Sequence, residues 1–391
     1  MNLRLPRRFM VTLLIVAVVK IAASIALFQS MNIQSSGTYW MDAQKVPRLQ
    51  QNLILLEEAG RGSAWPFLFQ GWDSAWYISI AAGGYFSNQS FAFLPGFPLL
   101  GKAFSISLLD PIISVTLCSA LFGVLWVPVY QAIAERHMKR RAAALSTLMF
   151  ALSPFVFLFS TVAYSEGLFL FLTLTSWYFL EEKKTPHAAV LASFAAVVRW
   201  VGLLMIIPML LKSMAGKGSD RFRNVCLSLL PLTGIIMWMW YCQIASGDWL
   251  AFAHTTEWSN MPTLKVYIAD LLPRQGPQAL LFRDPYITQS LISPILTWIL
   301  IIGTPLLVYR LKKIDGSLAV YSSVYYLGTL LFGTVLSFSR FISFLFPIWL
   351  LDTVRLQEKG WFVPAVALVL TSFLATGLYL WVIFLNGFFV G

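Results

Sequence analysis

Apolar runs of roughly 20 residues recur from one end of this chain to the other, and each is long enough to cross a ~30 Å hydrocarbon core as a helix. Lipid offers a backbone no hydrogen-bond partner but its own segment, so runs of this kind are expected to be α-helical. Composition agrees: of 391 residues, 58% are hydrophobic and only 12% charged. An ordinary soluble domain carries about 25% charged residues. The fold class expected is therefore all-α, a polytopic integral membrane protein forming a single transmembrane domain over 1–391.

A net charge of +11 would fit a nucleic-acid partner if it formed a basic face. It does not. Lys and Arg stand in short clusters between the apolar runs, the pattern of cytoplasmic loops in membrane proteins. Membrane lipids are thus the expected surroundings, nucleic acid is not an expected partner, and the sequence singles out no protein partner. The cysteines Cys118, Cys226 and Cys242 lie in or beside apolar spans with no metal or disulfide spacing, and read as small buried hydrophobes. Arg4, Arg7 and Arg8 ahead of an apolar run resemble a signal peptide. The run (9–28) exceeds a ~7–15-residue signal core, and no small-x-small site follows it. An uncleaved first helix with a cytoplasmic N-terminus is the expectation.

Setting apolar runs against charge clusters gives one path through the membrane. Helices are expected over 9–28, 111–133, 142–159 and 165–180, then over 224–244, 288–309, 317–338, 341–354 and 361–384. Between the fourth and the next, 187–211 has basic residues on both flanks and an interruption at Arg199-Trp200-Val201-Gly202. Two short helices meeting at Arg199 in the outer half of the membrane satisfy both flanks, and such breaks occur where they line a cavity. The total is about 11 spans. Two external segments remain, 29–110 and 245–286. The external segments hold Lys45, Arg48, Arg61, Lys102, Lys265, Arg274 and Arg283. All other Lys and Arg fall on the cytoplasmic side except Lys20, Arg199 and Arg340.

Few charged residues are left unexplained by topology. Foremost is Asp73, in the stretch GWDSAWYISIAAGGY (71–85) among Trp72, Trp76, Tyr77 and Tyr85. The bland reading is an interfacial aromatic belt with a solvated aspartate. A carboxylate in a partly desolvated aromatic patch, however, has a tunable pKa and can act as a base. Glu166 opens the fourth helix. It has an equally respectable bland reading, an acid at a helix N-terminus, yet the turn before it (Ser160, Thr161, Tyr164, Ser165) is polar at a depth that favours apolar residues. Arg199 and Arg340 stand alone beside apolar helices, where snorkelling arginines are ordinary. Arginine also suits a phosphate, to which its planar fork donates twice. His254 is the only histidine expected outside, and a lone histidine is more often packing than catalysis. No His-rich or carboxylate-rich cluster points to a metal ion, so neither a divalent metal nor another cofactor is indicated. Two acids and one or two arginines on one face point to chemistry on a phosphate-bearing lipid.

These residues resemble the PIG-V-type mannosyltransferases, the enzymes that add the second mannose to GPI anchors, and their bacterial relatives, within the GT-C superfamily. Trp72-Asp73, Trp76-Tyr77, Ile80-Ala81 and Gly84-Tyr85 match a WD-x-x-WY-x-x-IA-x-x-GY pattern, followed by an aromatic-proline motif at Phe93-Leu94-Pro95-Gly96-Phe97-Pro98. Tyr164-Ser165-Glu166 is similar to a Y-[ST]-E turn, and Arg199 with Gly202 to an R-x-x-G break. Gly247-Asp248, Ala251-Phe252 and His254 resemble a GD-x-x-AF-x-H segment, and Arg340-Phe341 with Phe346-Pro347 a late R-[FY]…FP element. The aromatic-proline motif departs from the pattern, with Phe97 where the family has tyrosine, and Trp200 stands where proline is common.

The resemblance implies a membrane glycosyltransferase moving a sugar, by family analogy mannose, from a polyprenyl-phosphate donor to a glycan or glycolipid acceptor. It makes Asp73 the catalytic carboxylate and Glu166 its partner. Arg199 and Arg340 would hold the donor phosphate, and Trp72, Trp76, Tyr77, Tyr85, Tyr164 and His254 would line the acceptor and sugar side. A flippase or other transporter of lipid-linked sugars competes with this reading and would want polar residues along several helices. An inactive assembly scaffold would make Asp73 dispensable.

Overall fold

The computed structural model describes residues 7–30, 73–106, 110–215, 218–255, 292–332, 337–350 and 362–385. Among these the protein is helical throughout, without β-strands. Helix α1 (Arg7–Ser30) holds the first apolar run. The segment 29–110, expected to be external, contains two helices, α2 (Asp73–Gly83) and α3 (Gly96–Ser105), joined through a 3-10 turn (Asn88–Ala92). Residues 31–72 of that segment, with Trp72, lie outside the described residues. Asp73, expected between two membrane spans, occupies the first turn of α2, where a carboxylate favours the helix dipole.

Helix α4 (Pro111–His137) starts from an Asp110 cap, whose carboxylate accepts from the Ile112 N–H at 2.7 Å, and carries proline at its first position. The next expected span, 142–159, is two helices. α5 (Arg140–Leu152) ends at Ser153, because Pro154 disfavours helical geometry in the residue before it, and α6 (Pro154–Phe159) begins there. α7 (Glu166–Glu181) follows a tight turn over 160–165, and α8 (Thr185–Val198) runs up to Arg199.

The break expected at Arg199 is present: Arg199 is extended (φ −148°, ψ 133°), and a 3-10 turn (Trp200–Met205) leads into α9 (Ile206–Met214). The span expected over 224–244 is divided at Leu229-Leu230 before Pro231, giving α10 (Gly218–Ser228) and α11 (Pro231–Ser246). α12 (Ile292–Leu311), α13 (Gly316–Phe332) and α15 (Phe362–Leu385) answer three later expected spans, with α14 (Phe338–Ser343) between the last two. The expected span 341–354 is not one helix within its described part: α14 ends at Ser343 and a 3-10 turn (Phe346–Leu350) follows, shaped by Pro347. Residues 351–354, and the second external segment beyond Thr255, lie outside the described residues.

Among the described residues, four helical stretches are long and apolar enough to cross a membrane: Arg7–Gln29, Pro111–His137, Asp220–Ser246 and Val366–Leu385. Shorter apolar helices at Thr185–Val198, Trp200–Met214 and Ile299–Leu311 accompany them. The protein is a multi-pass membrane protein. The side chains facing outward support this, since Leu14, Val18, Ile21, Ile25, Phe194, Met237 and Trp240 are all more than 50% exposed or close to it, as lipid contact requires.

The core lies around α4 and α7, which pack along each other, with α1 and α3 against α4 and α8 against α7. Trp126, Tyr130 and Phe150 fill one level of it, and Trp177, Tyr321 and Phe346 another. Buried small and hydroxylated residues on α4 (Ser114, Ser119, Gly123) let the helices approach closely, the usual device where lipid removes the hydrophobic drive to associate.

Candidate active site

Three local features bring the sequence-predicted charges together. The first is the turn between α6 and α7. Its Tyr164, Ser165 and Glu166 are buried, and Ser119 of α4 steadies it from below, its hydroxyl reaching the carbonyls of Val162 (2.5 Å) and Tyr164 (3.2 Å). The second is the break after α8. Gly202 lies so close to α8 that a Cβ there would meet the Ala195 carbonyl carbon and oxygen at 2.4 and 2.5 Å, so only glycine lets the 3-10 turn fold back. That fold leaves Arg199 at the helix end, free to reach sideways. The third is α14, whose Arg340 is supplied from 267 residues beyond Asp73.

The charges meet as an alternating chain. Arg199 Nη1 is 2.8 Å from Glu166 Oε1. Arg340 Nε lies 3.5 Å from that same oxygen, and its Nη1 is 3.4 Å from Asp73 Oδ2. The Glu166 contacts are charge pairs without hydrogen-bond alignment, and its Oε2 has no hydrogen-bond donor among the described residues. Two guanidinium groups therefore compensate two carboxylates, as buried charges require. Aromatic rings complete the enclosure. The Arg340 guanidinium stands over Phe159 (4.9 Å), Phe341 (4.9 Å) and Tyr164 (5.6 Å), and Arg199 over Phe341 (5.2 Å), distances typical of cation–π contacts.

Neutral hydrogen bonds fix the frame. The Asp73 backbone N–H donates to the Tyr164 hydroxyl at 3.1 Å, tying α2 to the turn. Ser165 Oγ sits between Tyr77, at 3.0 Å, and Arg199, whose Nη1 donates to it at 3.0 Å.

Exposure separates the two acids. The Glu166 side chain is 2% exposed, whereas that of Asp73 keeps 16%, as does that of Arg199. Burial pushes the Asp73 carboxyl above the usual carboxylate range; Arg340 pulls it partly back, and Glu166 adds to the rise. An acid that is reachable, partly desolvated and raised in pKa is suited to accept a proton.

Asp73, Glu166, Arg199, Arg340, Tyr77 and Tyr164 thus converge, while others do not. Trp76 stacks between Phe86 (5.6 Å) and Phe93 (5.5 Å), beside the site rather than in it. Tyr85 donates to the Phe93 carbonyl at 2.8 Å and joins a separate aromatic cluster with Phe91, Trp238 and Tyr241. His254 pairs with Asp248 at 2.7 Å on an exposed turn after α11, where the shared hydrogen bond holds the Asp248 carboxyl below its usual range. Ser165, Phe159 and Phe341 are site components that spacing did not single out as such, although each adjoins a residue that it did. Among the described residues no three of His, Cys, Asp and Glu gather in a metal-binding group.

Comparison with known proteins gives the family and the fold. Residues 24–220, half of the chain, match the family "Mannosyltransferase (PIG-V)". Rat GPI alpha-1,6-mannosyltransferase 2 (Rattus norvegicus) is 33% identical over 184 residues, 43% of this chain and 35% of that protein. The mouse protein of the same name (Mus musculus) is 33% identical over 148 residues, 34% of this chain and 29% of its own length. The chain spans about a third of the length of the curated relatives it matches. Among solved structures, the apo oligosaccharyltransferase of Archaeoglobus fulgidus aligns over 98% of this chain and 56% of its own, with a TM-score of 0.50 and 10% identity. That likeness is one of fold.

Proposed function

Because the chain belongs to the mannosyltransferase (PIG-V) family, we propose that it is a GT-C-type glycosyltransferase. It would move mannose from a polyprenyl-phosphate donor to a glycan or glycolipid acceptor on the non-cytoplasmic face. The observation that supports this reading best is the convergence of Asp73, Glu166, Arg199 and Arg340 from four separate elements on one site. Family membership leaves the transporter reading without support. The scaffold reading gives no reason to bury two acids and two arginines together.

In the proposed reaction Asp73 takes the proton of the acceptor hydroxyl as that oxygen attacks the anomeric carbon of the donor. The bond from that carbon to the phosphate oxygen breaks, inverting the centre, and polyprenyl phosphate leaves with the electron pair. Negative charge grows on the phosphate as Asp73 becomes neutral. Arg340 can then turn from the neutralised acid to the leaving phosphate, with Arg199 beside it, and stabilise charge where it develops. Glu166, buried and held by both arginines, keeps the forks in place.

Asp73→Asn tests the centre of this reading. The amide preserves shape but cannot accept the proton, and general-base catalysis contributes about 10²–10⁴-fold. Transfer from polyprenyl-phosphate-mannose by the reconstituted variant is expected to fall by that factor, with its detergent-solution melting temperature close to wild type. Wild-type turnover in the variant would remove Asp73 from the chemistry.

A further inference from the structure

Lys20 is the one charged side chain within the apolar run of α1, and it is only 5% exposed. It lies about 18 Å along the helix from Arg8, by the rise per residue, so it cannot reach the inner boundary where Arg8 pairs with Glu135. Ionisable side chains at such depth are costly and persist where they have a task.

Its surroundings define that task. The Lys20 Nζ is 2.7 Å from Ser160 Oγ, 2.9 Å from the Ser160 carbonyl and 3.0 Å from the Gly123 carbonyl. All three partners can accept. The carbonyls carry no proton, and the single hydroxyl proton of Ser160 is committed to the Val156 carbonyl at 2.5 Å. Three oxygens around one nitrogen match the three donors of an ammonium. Gly123 completes the fit: a Cβ there would stand 1.8 Å from the Ser160 carbonyl oxygen. The backbone of α4 and the turn are in direct contact, and the ammonium bridges the carbonyls of both.

Ser160 is the first residue of the turn that delivers Tyr164, Ser165 and Glu166, and it follows Phe159, the ring beneath Arg340. We propose that Lys20 is a positioning residue for the acid–arginine site, its ammonium pinning the 160–165 turn to α4 so that Glu166, Tyr164 and Phe159 hold the two arginines in register. The proposal rests on reading that site as the centre of transfer, but the pinning itself is measurable without any transfer assay.

Hydrogen–deuterium exchange on the protein in nanodiscs, with Lys20→Met and Lys20→Gln, separates the possibilities. Met keeps length and apolarity and removes every donor; Gln keeps two donors. Backbone amides in a peptide covering 156–166 are expected to exchange about tenfold or more faster in Lys20→Met, since hydrogen bonds from charged donors are the strong ones. Lys20→Gln should lie between Met and wild type, and mannosyl transfer should fall in the same order. A packing role alone predicts the reverse rank, because Met is the better guest in lipid. Ser160→Ala, which leaves the lysine and removes one acceptor, should give a smaller acceleration of the same amides, and it serves if Lys20→Met fails to insert. Unchanged exchange in these variants, or Gln ranking no better than Met, would overturn the proposal. Accelerated exchange beside a wild type that transfers no mannose would uphold the pinning and sink the transfer reading instead.

Discussion

Arg340 touches both acids of the site, Asp73 at 3.4 Å and Glu166 at 3.5 Å, and this sharing makes the protonation of Asp73 depend on it. Burial raises the Asp73 carboxyl, and the guanidinium is the largest influence that opposes the rise. A general base works in its ionised form, so transfer is present above the Asp73 pKa and lost as pH falls through it. Removing the opposing charge lifts that pKa further. In Arg340→Gln the acid limb of kcat/KM against pH is therefore expected to move to higher pH, on a plateau lowered by on the order of 10²-fold, the usual loss of a charge-stabilising donor. A pH profile of the reconstituted variant checks this. A limb that stays in place would mean that Asp73 and Arg340 are not coupled in the working enzyme. Asp73 was legible in sequence because an acid between Trp72 and Trp76 stands out in an apolar chain. Its pairing with Arg340 was not, since no local pattern links residues 267 positions apart. Lys20 was invisible as a site component for the same reason, its acceptors lying 103 and 140 residues away.

At the level of elements, charge exposed one helix break and hydropathy hid others. The break at Arg199 was found because basic flanks on both sides of 187–211 demand a return, and the structure supplies the means in a 3-10 turn seated on Gly202. Breaks at Ser153-Pro154 and before Pro231 were missed because hydropathy runs unbroken across them; only the proline marks them. The helix beginning at Asp73 was not foreseen because α2 is short and buried on most of its faces, so it shows no amphipathic period. The Gly202 contact makes a prediction about this level. A methyl at 2.4–2.5 Å from backbone atoms of Ala195 cannot be absorbed by a side-chain rotation, so Gly202→Ala must move the turn and Arg199 with it. Overpacking of this kind costs about 1–3 kcal/mol. The apparent KM for polyprenyl-phosphate-mannose is expected to rise several-fold, more than that for the acceptor. An unchanged donor KM in steady-state assays would separate Arg199 from the phosphate.

At the scale of the molecule, the ion pairs of α7 divide between its two ends. Helices α4 and α7 run the same way, and their C-terminal ends gather Arg136 with Glu181 (3.1 Å) and Glu182 (2.5 Å), His137 with Glu181 (3.2 Å), and Arg8 of α1 with Glu135 (2.8 Å). Glu166 opens α7 at the opposite end, about 22 Å away by helical rise. The basic cluster Lys139, Arg140 and Arg141 adjoins the first end. Lys and Arg near membrane boundaries mark the cytoplasmic side, which supports the proposal that the acid–arginine site faces the other side, where lipid-linked sugars and surface glycans would meet. The proposed orientation rests on charge, while the convergence of the site required the fold. Accessibility tags test it directly. A tag inserted at Lys139, between α4 and α5, should be shielded in intact cells or sealed vesicles, and one at Asn88, in the turn between α2 and α3, should be open to an impermeant reagent. The opposite labelling would place Asp73 on the cytoplasmic side and leave the donor to be presented from there.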